Sequence, residues 1–307
     1  MIDLQLRVAG EYKCYRGTLA GQRTLSSLAC AHLQTDENAE PLGLGLTHES
    51  EGFPPHDPIA CDPSACDPSA CVEIHAELEA KPITLRALHT PQRSYFSCPS
   101  ASFWVAADGR SATLTHCVVE PVPWLFGPAL ILALARLGVY CLHASAFRDG
   151  EVASVFVGHS GAGKSTLARA VSSRAGAQRL CDDITPIALR AGKLYVLPRF
   201  PQLKLTTTDK NLPEAVPLKR IVLLQAAQDG IASEHQSLGQ RALFEALTRH
   251  TVATRLYSAT DTRNWWQQLP LMMAALVDTR SIRPAFNAHA PERAMLAALD
   301  DLDGLCG

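Results

Sequence analysis

The chain has 307 residues, 47% hydrophobic and 19% charged, the balance of a globular protein with a sizeable core built as one large domain or two moderate ones. Its formal net charge of −2 supplies no global basic field of the kind that gathers phosphodiester backbones, so nucleic acid is not an expected partner. The longest apolar run, residues 122–135, is interrupted by Pro123, Gly127 and Pro128 and is too short to span a bilayer.

The opening stretch MIDLQLRVAGEYKCYRG holds no apolar run behind a basic head, so no export signal, no membrane partner and a cytoplasmic location are expected. Most of the ten cysteines, Cys117, Cys141 and Cys181 among them, stand alone in apolar strings and read as reduced, buried thiols.

Along the chain, residues 1–36 mix short strand-like and helix-like stretches, with AGQRTLSSLACAHL as the predicted helix. Residues 35–82 are rich in Pro, Gly, Asp, Glu and His and include the tandem duplication CDPSACDPSAC, so a mobile insertion is expected near 36–82. Strand signals resume at Ile83, with SYFSCPSASFWVAADG and SATLTHCVVEP meeting at an Asp-Gly turn. FGPALILALARLG predicts a helix stopped by Gly138. Next come VYCLHASAFR and EVASVFVG, a hairpin across Asp149-Gly150, and then a glycine loop. KSTLARAVSSRAG continues as an amphipathic helix closed by Gly176, RLCDDITPIAL, KLYVLP and LKRIVLLQAA read as strands, and the remainder is mostly helical. Strands flanked by helices predict an α/β core.

The glycine loop, GHSGAGKS at Gly158–Ser165, matches G-x-x-x-x-G-K-[ST] between a predicted strand and a predicted helix. Gly158, Gly161 and Gly163 let backbone N–H groups turn inward, and the helix that follows adds its dipole at the same place. Lys164 offers a cation to the β- and γ-phosphates and Ser165 a hydroxyl to Mg²⁺, with His159, Ser160, Ala162 and Thr166 completing the loop. The expectation is a nucleoside triphosphate site.

Asp182 and Asp183 close a short apolar strand, Asp183 lying 18 residues after Ser165. Adjacent carboxylates beside a triphosphate can divide the work between holding Mg²⁺ and accepting a hydroxyl proton. In a regular strand they would face opposite ways, so both serve only if the backbone bends there. His143 falls 15 residues before Gly158, on the strand paired with the one that feeds the loop, where it is either a hydrogen-bonded core residue or a functional one.

HASAF, GHSGAGKST and CDD, in this order and at these separations, resemble the HPr kinase/phosphorylase-related kinases, whose nucleotide core is similar to that of phosphoenolpyruvate carboxykinase. The likeness covers residues 130–205, with fainter agreement through LFEALTRHTVATRLYS. Within the group the chain looks most like the stand-alone kinases, including those that phosphorylate lasso-peptide precursors. The resemblance implies a P-loop kinase domain at 128–307 behind a smaller α+β domain at 1–127, which would be the place for the acceptor. It implies transfer from ATP, with Mg²⁺, to a serine-type hydroxyl on a precursor peptide, a small protein or a metabolite. It carries the family's phosphate loop onto Gly158–Ser165, its histidine onto His143 and its acidic pair onto Asp182 and Asp183, with Asp183 as the base. The glycine-rich loop that HPr kinase/phosphorylases carry beyond the core has no counterpart, which argues against HPr as substrate.

A transporter ATPase would need an LSGGQ-like segment and a GTPase an N-K-x-D-type base reader, and neither is present. A non-catalytic nucleotide sensor that regulates a partner protein remains the alternative, and a homo-oligomer stays open. Cys61, Cys66 and Cys71 have loose zinc-ligand spacing, with His56 or His75 as a fourth ligand, but exact repetition is also how duplicated low-complexity sequence looks. Arg199 and Lys204 are either contacts for a phosphoryl group or solvated strand-edge charges, and Trp265 and Trp266 read as core or interface.

Overall fold

The structure, a computed structural model, describes residues 7–8, 11–12, 15–19, 22–26, 34–35, 43–48, 71–78, 81–117, 124–172, 174, 176–198, 200, 212–227, 233–285 and 289–304. It is a mixed α/β chain in two compact units, one of Met1–Val139 with Ala253–Trp265, the other of Tyr140–Val252 with Trp266–Gly307. Among the described residues no helix is long and apolar enough to cross a membrane.

The first unit contains a nine-stranded sheet. Its regular half is an antiparallel meander of Cys71–Leu78, Lys81–His89, Arg93–Cys98, Ala101–Ala106 and Ser111–Cys117. Leu85, Ala87, Phe96, Phe103 and Leu114 are buried, and Phe96 stacks on Phe103 across the strand pair with ring centroids 4.9 Å apart. The helix Leu130–Arg136, within the FGPALILALARLG stretch predicted as helical, has its six apolar residues buried.

Two expectations are corrected here. The segment read as a helix contains the strand Gln22–Ser26, paired antiparallel with Tyr15–Leu19 from Leu19↔Gln22. Ala20 and Gly21 stand between them, and a two-residue connection containing glycine favours a hairpin over helical continuation. The expected insertion at 36–82 carries the strands Gly43–His48 and Cys71–Leu78, and Lys81–His89 begins within it. Gly43–His48 has little apolar area, yet it lies between two parallel partners, Gln22–Ser26 and Ser111–Cys117, and its ladder is made by backbone groups that a reading of side chains overlooks. Most of the CDPSACDPSAC repeat, with Cys61, Cys66 and His56, falls outside the described residues, as do Arg199 and Lys204.

Arg136 ends its helix as a buried cation, and its surroundings satisfy it. Nε and Nη2 donate to the two Asp261 oxygens at 3.0 and 2.9 Å, Nη1 donates to the carbonyls of Val105 and Ala106, and Nη2 also reaches Ser94 Oγ. The pair therefore joins the helix Leu130–Arg136, two sheet strands and the first turn of the helix Ala259–Ala275. Burial alone would raise the pKa of Asp261, but hydrogen bonds and charge from Arg136, helped by Ser258, outweigh it and hold the carboxyl below its ordinary value.

The second unit is a mixed eight-stranded sheet. The strand Val139–Asp149 forms a hairpin with Val152–Gly158, which pairs in parallel with Val216–Leu224, itself parallel to Asp278–Arg283. The helices Lys164–Ser172 and Pro291–Gly304 supply Leu167, Val171, Ala298 and Leu299 to a core with Phe147, Phe156, Val222, Leu224 and Ile282. RLCDDITPIAL contributes to two strands, Ala177–Cys181 and Ile184–Arg190, with Asp182 and Asp183 following the end of the first.

Breaking the Arg136 pair from one side leaves a buried charge without its counter-ion, which typically costs about 3–5 kcal/mol. Asp261→Ala should lower the unfolding midpoint of the first unit accordingly in a denaturant titration. Because the folded pKa of Asp261 is depressed, its contribution is present above the ordinary carboxylate pKa and is lost as pH falls through the folded value. The difference between the wild type and Asp261→Ala should therefore shrink only in that acidic window.

Candidate active site

The glycine loop lies between Val152–Gly158 and the helix Lys164–Ser172, the context its sequence predicts. Close packing constrains two of its glycines. A Cβ at Gly158 would come within 2.6 Å of the Leu224 carbonyl oxygen on the neighbouring parallel strand. Gly163 has φ +97°, and a Cβ there would overlap the Met295 methyl on the helix Pro291–Gly304. Ala162 is buried in the core beneath the loop, while His159, Ser160, Gly161 and Ser165 are exposed and Thr166 is half-buried.

Lys164 is buried, and its Nζ donates to the carbonyls of Gly158 (2.8 Å) and His159 (3.1 Å). The ammonium thus spans the loop from its first residues to the start of the helix. Ser145 on the hairpin strand donates to the Lys164 carbonyl at 3.2 Å, which ties loop and strand together.

The two aspartates occupy the break between Ala177–Cys181 and Ile184–Arg190, where Asp183 has φ +90°. A non-glycine residue in that region is strained and persists only where its surroundings fix it. The fixing contacts are the Ala144 N–H donating to the Asp183 carbonyl at 3.1 Å and the Thr185 hydroxyl donating to the Ala144 carbonyl at 2.9 Å. The bend frees the pair from strand alternation. Asp182 Oδ1 accepts from Ser165 Oγ at 3.0 Å, and its other oxygen lies 3.8 Å from Arg179 Nη1. Asp183 Oδ1 lies 3.3 Å from His143 Nδ1. A carboxylate can only accept, so Nδ1 carries the proton in this contact.

Lys164, Ser165, Asp182, Asp183 and His143 thus come together in a single constellation, with one aspartate facing the loop serine and the other the histidine. Sequence reasoning missed Arg179, Arg249 and His250. Arg249 Nη1 donates to His159 Nε2 at 3.2 Å from the last turn of the helix Gln240–His250. His250, buried, meets the His159 ring edge to face at 6.0 Å. Burial first, then the charges of Lys164 and Arg249 and the neighbouring His143 and His159 imidazoles, pushes the His250 pKa down to about 4. The signal available was TRH at the end of an amphipathic stretch, which has no meaning until the helix end is known to face the loop. Cys141 and Cys181 are fully buried, and burial raises both thiols far above the ordinary range, so they are inert. Trp265 is buried, whereas Trp266 is exposed and stacks on Phe244. Among the described residues no group of three or more His, Cys, Asp or Glu is arranged to hold a metal by itself.

No family model and no curated protein matches the chain. Among solved structures it is similar to the HPr(Ser) kinase/phosphatase from Coxiella burnetii, with 12% identity and a TM-score of 0.29 over 54% of this chain and 99% of that one.

Gly163→Ala combines a left-handed backbone with a steric overlap. The backbone term alone is about 1–2 kcal/mol, so the variant should melt several degrees below the wild type in a thermal scan. An unchanged melting temperature would show that Met295 does not pack on the loop.

Proposed function

We propose that the chain is an ATP- and Mg²⁺-dependent kinase that transfers the γ-phosphoryl group to a serine-type hydroxyl on a peptide, small protein or metabolite. The observation that carries this reading is the division of labour at the bend: Asp182 on Ser165 and Asp183 on His143, both beside a lysine-bearing glycine loop. A nucleotide sensor would need the loop but not a second carboxylate oriented by a histidine.

The hydroxyl of Ser165 and the carboxylate of Asp182 are hard oxygen donors already 3.0 Å apart, a set that suits Mg²⁺ and not a thiophilic metal. When bound, the ion would supply positive charge against the β- and γ-phosphate oxygens. Ser165 and Asp182 would hold it, and Arg179 would steady the second oxygen of Asp182. The loop amides and Lys164 would surround the phosphates and offset the charge that develops as the terminal group leaves. Asp183 would accept the proton of the attacking hydroxyl while the oxygen–phosphorus bond forms. The bond from the γ-phosphorus to the bridging oxygen breaks, and its electron pair leaves with ADP. His143 would orient the carboxylate through its Nδ1–H.

Lys164→Ala should abolish transfer through loss of phosphate neutralisation and should weaken nucleotide binding. Asp183→Asn should reduce transfer by about 10²–10⁴-fold, the usual worth of a general base, while leaving nucleotide affinity intact. Labelled ATP with candidate hydroxyl acceptors reads the first effect and equilibrium titration the second. Normal phosphorylation by Asp183→Asn would remove the base from the scheme, and binding without transfer by the wild type to any acceptor would favour the sensor.

A further inference from the structure

We propose that a second copy of this chain docks on the charge-free helical face around Trp266, so that the protein associates as a two-fold dimer. The inference is independent of the function proposed above.

Of the five large apolar side chains exposed among the described residues, four belong to one region of the second unit: Phe244, Trp266, Leu271 and Val277. Apolar side chains scattered singly over a surface need no partner, but a contiguous patch marks a contact site. Phe244 stacks on Trp266 with ring centroids 5.8 Å apart, Leu271 follows on the same helix as Trp266, and Val277, 95% exposed, lies just beyond that helix's end. From Trp266 to Val277 the sequence WQQLPLMMAALV carries no charge, although Trp266, Gln267, Pro270, Leu271 and Ala274 face solvent. The outer face of a surface helix is ordinarily its charged one. Neither helix can roll to hide the patch, because the opposite faces are already packed inward: Leu243 and Leu247 of Gln240–His250, and Leu269 and Met272 of Ala259–Ala275, are buried. Aromatic side chains on a surface depleted of charge have the composition of an interface core.

The charges beside the patch decide its occupant. Arg241 and Glu245 flank Phe244 one turn apart on Gln240–His250, with side chains 93% and 54% exposed, and Arg241 Nε donates to Glu245 Oε1 at 2.9 Å. Their charges cancel, so they offer no attraction to a strongly acidic or strongly basic partner. They do complement themselves. Where two copies of this helix pack antiparallel about a two-fold axis between these positions, each Arg241 meets the other copy's Glu245. A charge at the centre of such a contact would meet its own like across the axis, and the stretch from Trp266 to Val277 holds none. Arg249, further along the helix, is engaged by His159 of the glycine loop.

The test is sedimentation velocity of the full chain across the micromolar range, where the wild type should run as a dimer. Trp266→Glu should raise the dissociation constant about 30-fold or more, the worth of an aromatic interface anchor, and Leu271→Glu should act in the same direction. Arg241→Glu and Glu245→Arg should each weaken the dimer about 5-fold or more, because like charges then face each other across the axis, and the double reversal should restore wild-type association. Circular dichroism checks that the variants remain folded, as expected for exposed side chains. A wild type that stays monomeric throughout the range, a dimer that Trp266→Glu and Leu271→Glu leave unchanged, or a double reversal that recovers nothing would overturn the proposal. None of these results bears on the kinase reading, which the transfer assays test separately.

Discussion

The arrangement of this site depends on one backbone torsion. Asp183 stands at φ +90°, held there by the Ala144 amide on its carbonyl and by Thr185 anchored to the same strand residue. Without that bend, two consecutive aspartates on a strand would point to opposite faces, and only one could face the glycine loop. With it, Asp182 reaches Ser165 and Asp183 reaches His143. Strain of this kind persists only when neighbouring contacts over-determine it. Here they come from Val139–Asp149, which pairs on one side with the strand feeding the loop and on the other with the strand leading into the bend. One strand thus positions both halves of the chemistry.

The charge pattern follows from the same frame. Lys164 is held by carbonyls of its own loop, Arg249 by a histidine of that loop, and the two carboxylates by a serine and a histidine. Each charged group of the loop region therefore has a defined neighbour, and the two carboxylates are turned to different partners. A site at rest in this state is arranged to receive a highly charged anion from outside.

Much of this was legible in the sequence because the motif residues are local. Strand, GHSGAGKS and helix fall in one continuous stretch, and the Asp149-Gly150 turn announces the hairpin that brings His143 back toward the loop. The need for a bend at Asp182-Asp183 was also foreseeable, since alternation forbids the alternative. What the sequence could not supply was nonlocal. Arg249 and His250 lie more than eighty residues beyond the loop, and their approach depends on Thr251 and Val252 pairing with Leu142 and Cys141. The errors near the N-terminus share that cause: Gly43–His48 is a strand because it finds two backbone ladders, and its own composition carries no such signal.

The central claim is that Asp183 stands at the transferring phosphorus, and an experimental structure of the chain with Mg²⁺ and a non-hydrolysable ATP analogue tests it most directly. The account predicts the triphosphate wrapped by Gly158–Ser165, the metal on Ser165 and Asp182, and an Asp183 oxygen positioned to contact a hydroxyl in line with the γ-phosphorus. A triphosphate bound in the loop with Asp183 turned away, and no path for an acceptor between them, would contradict it.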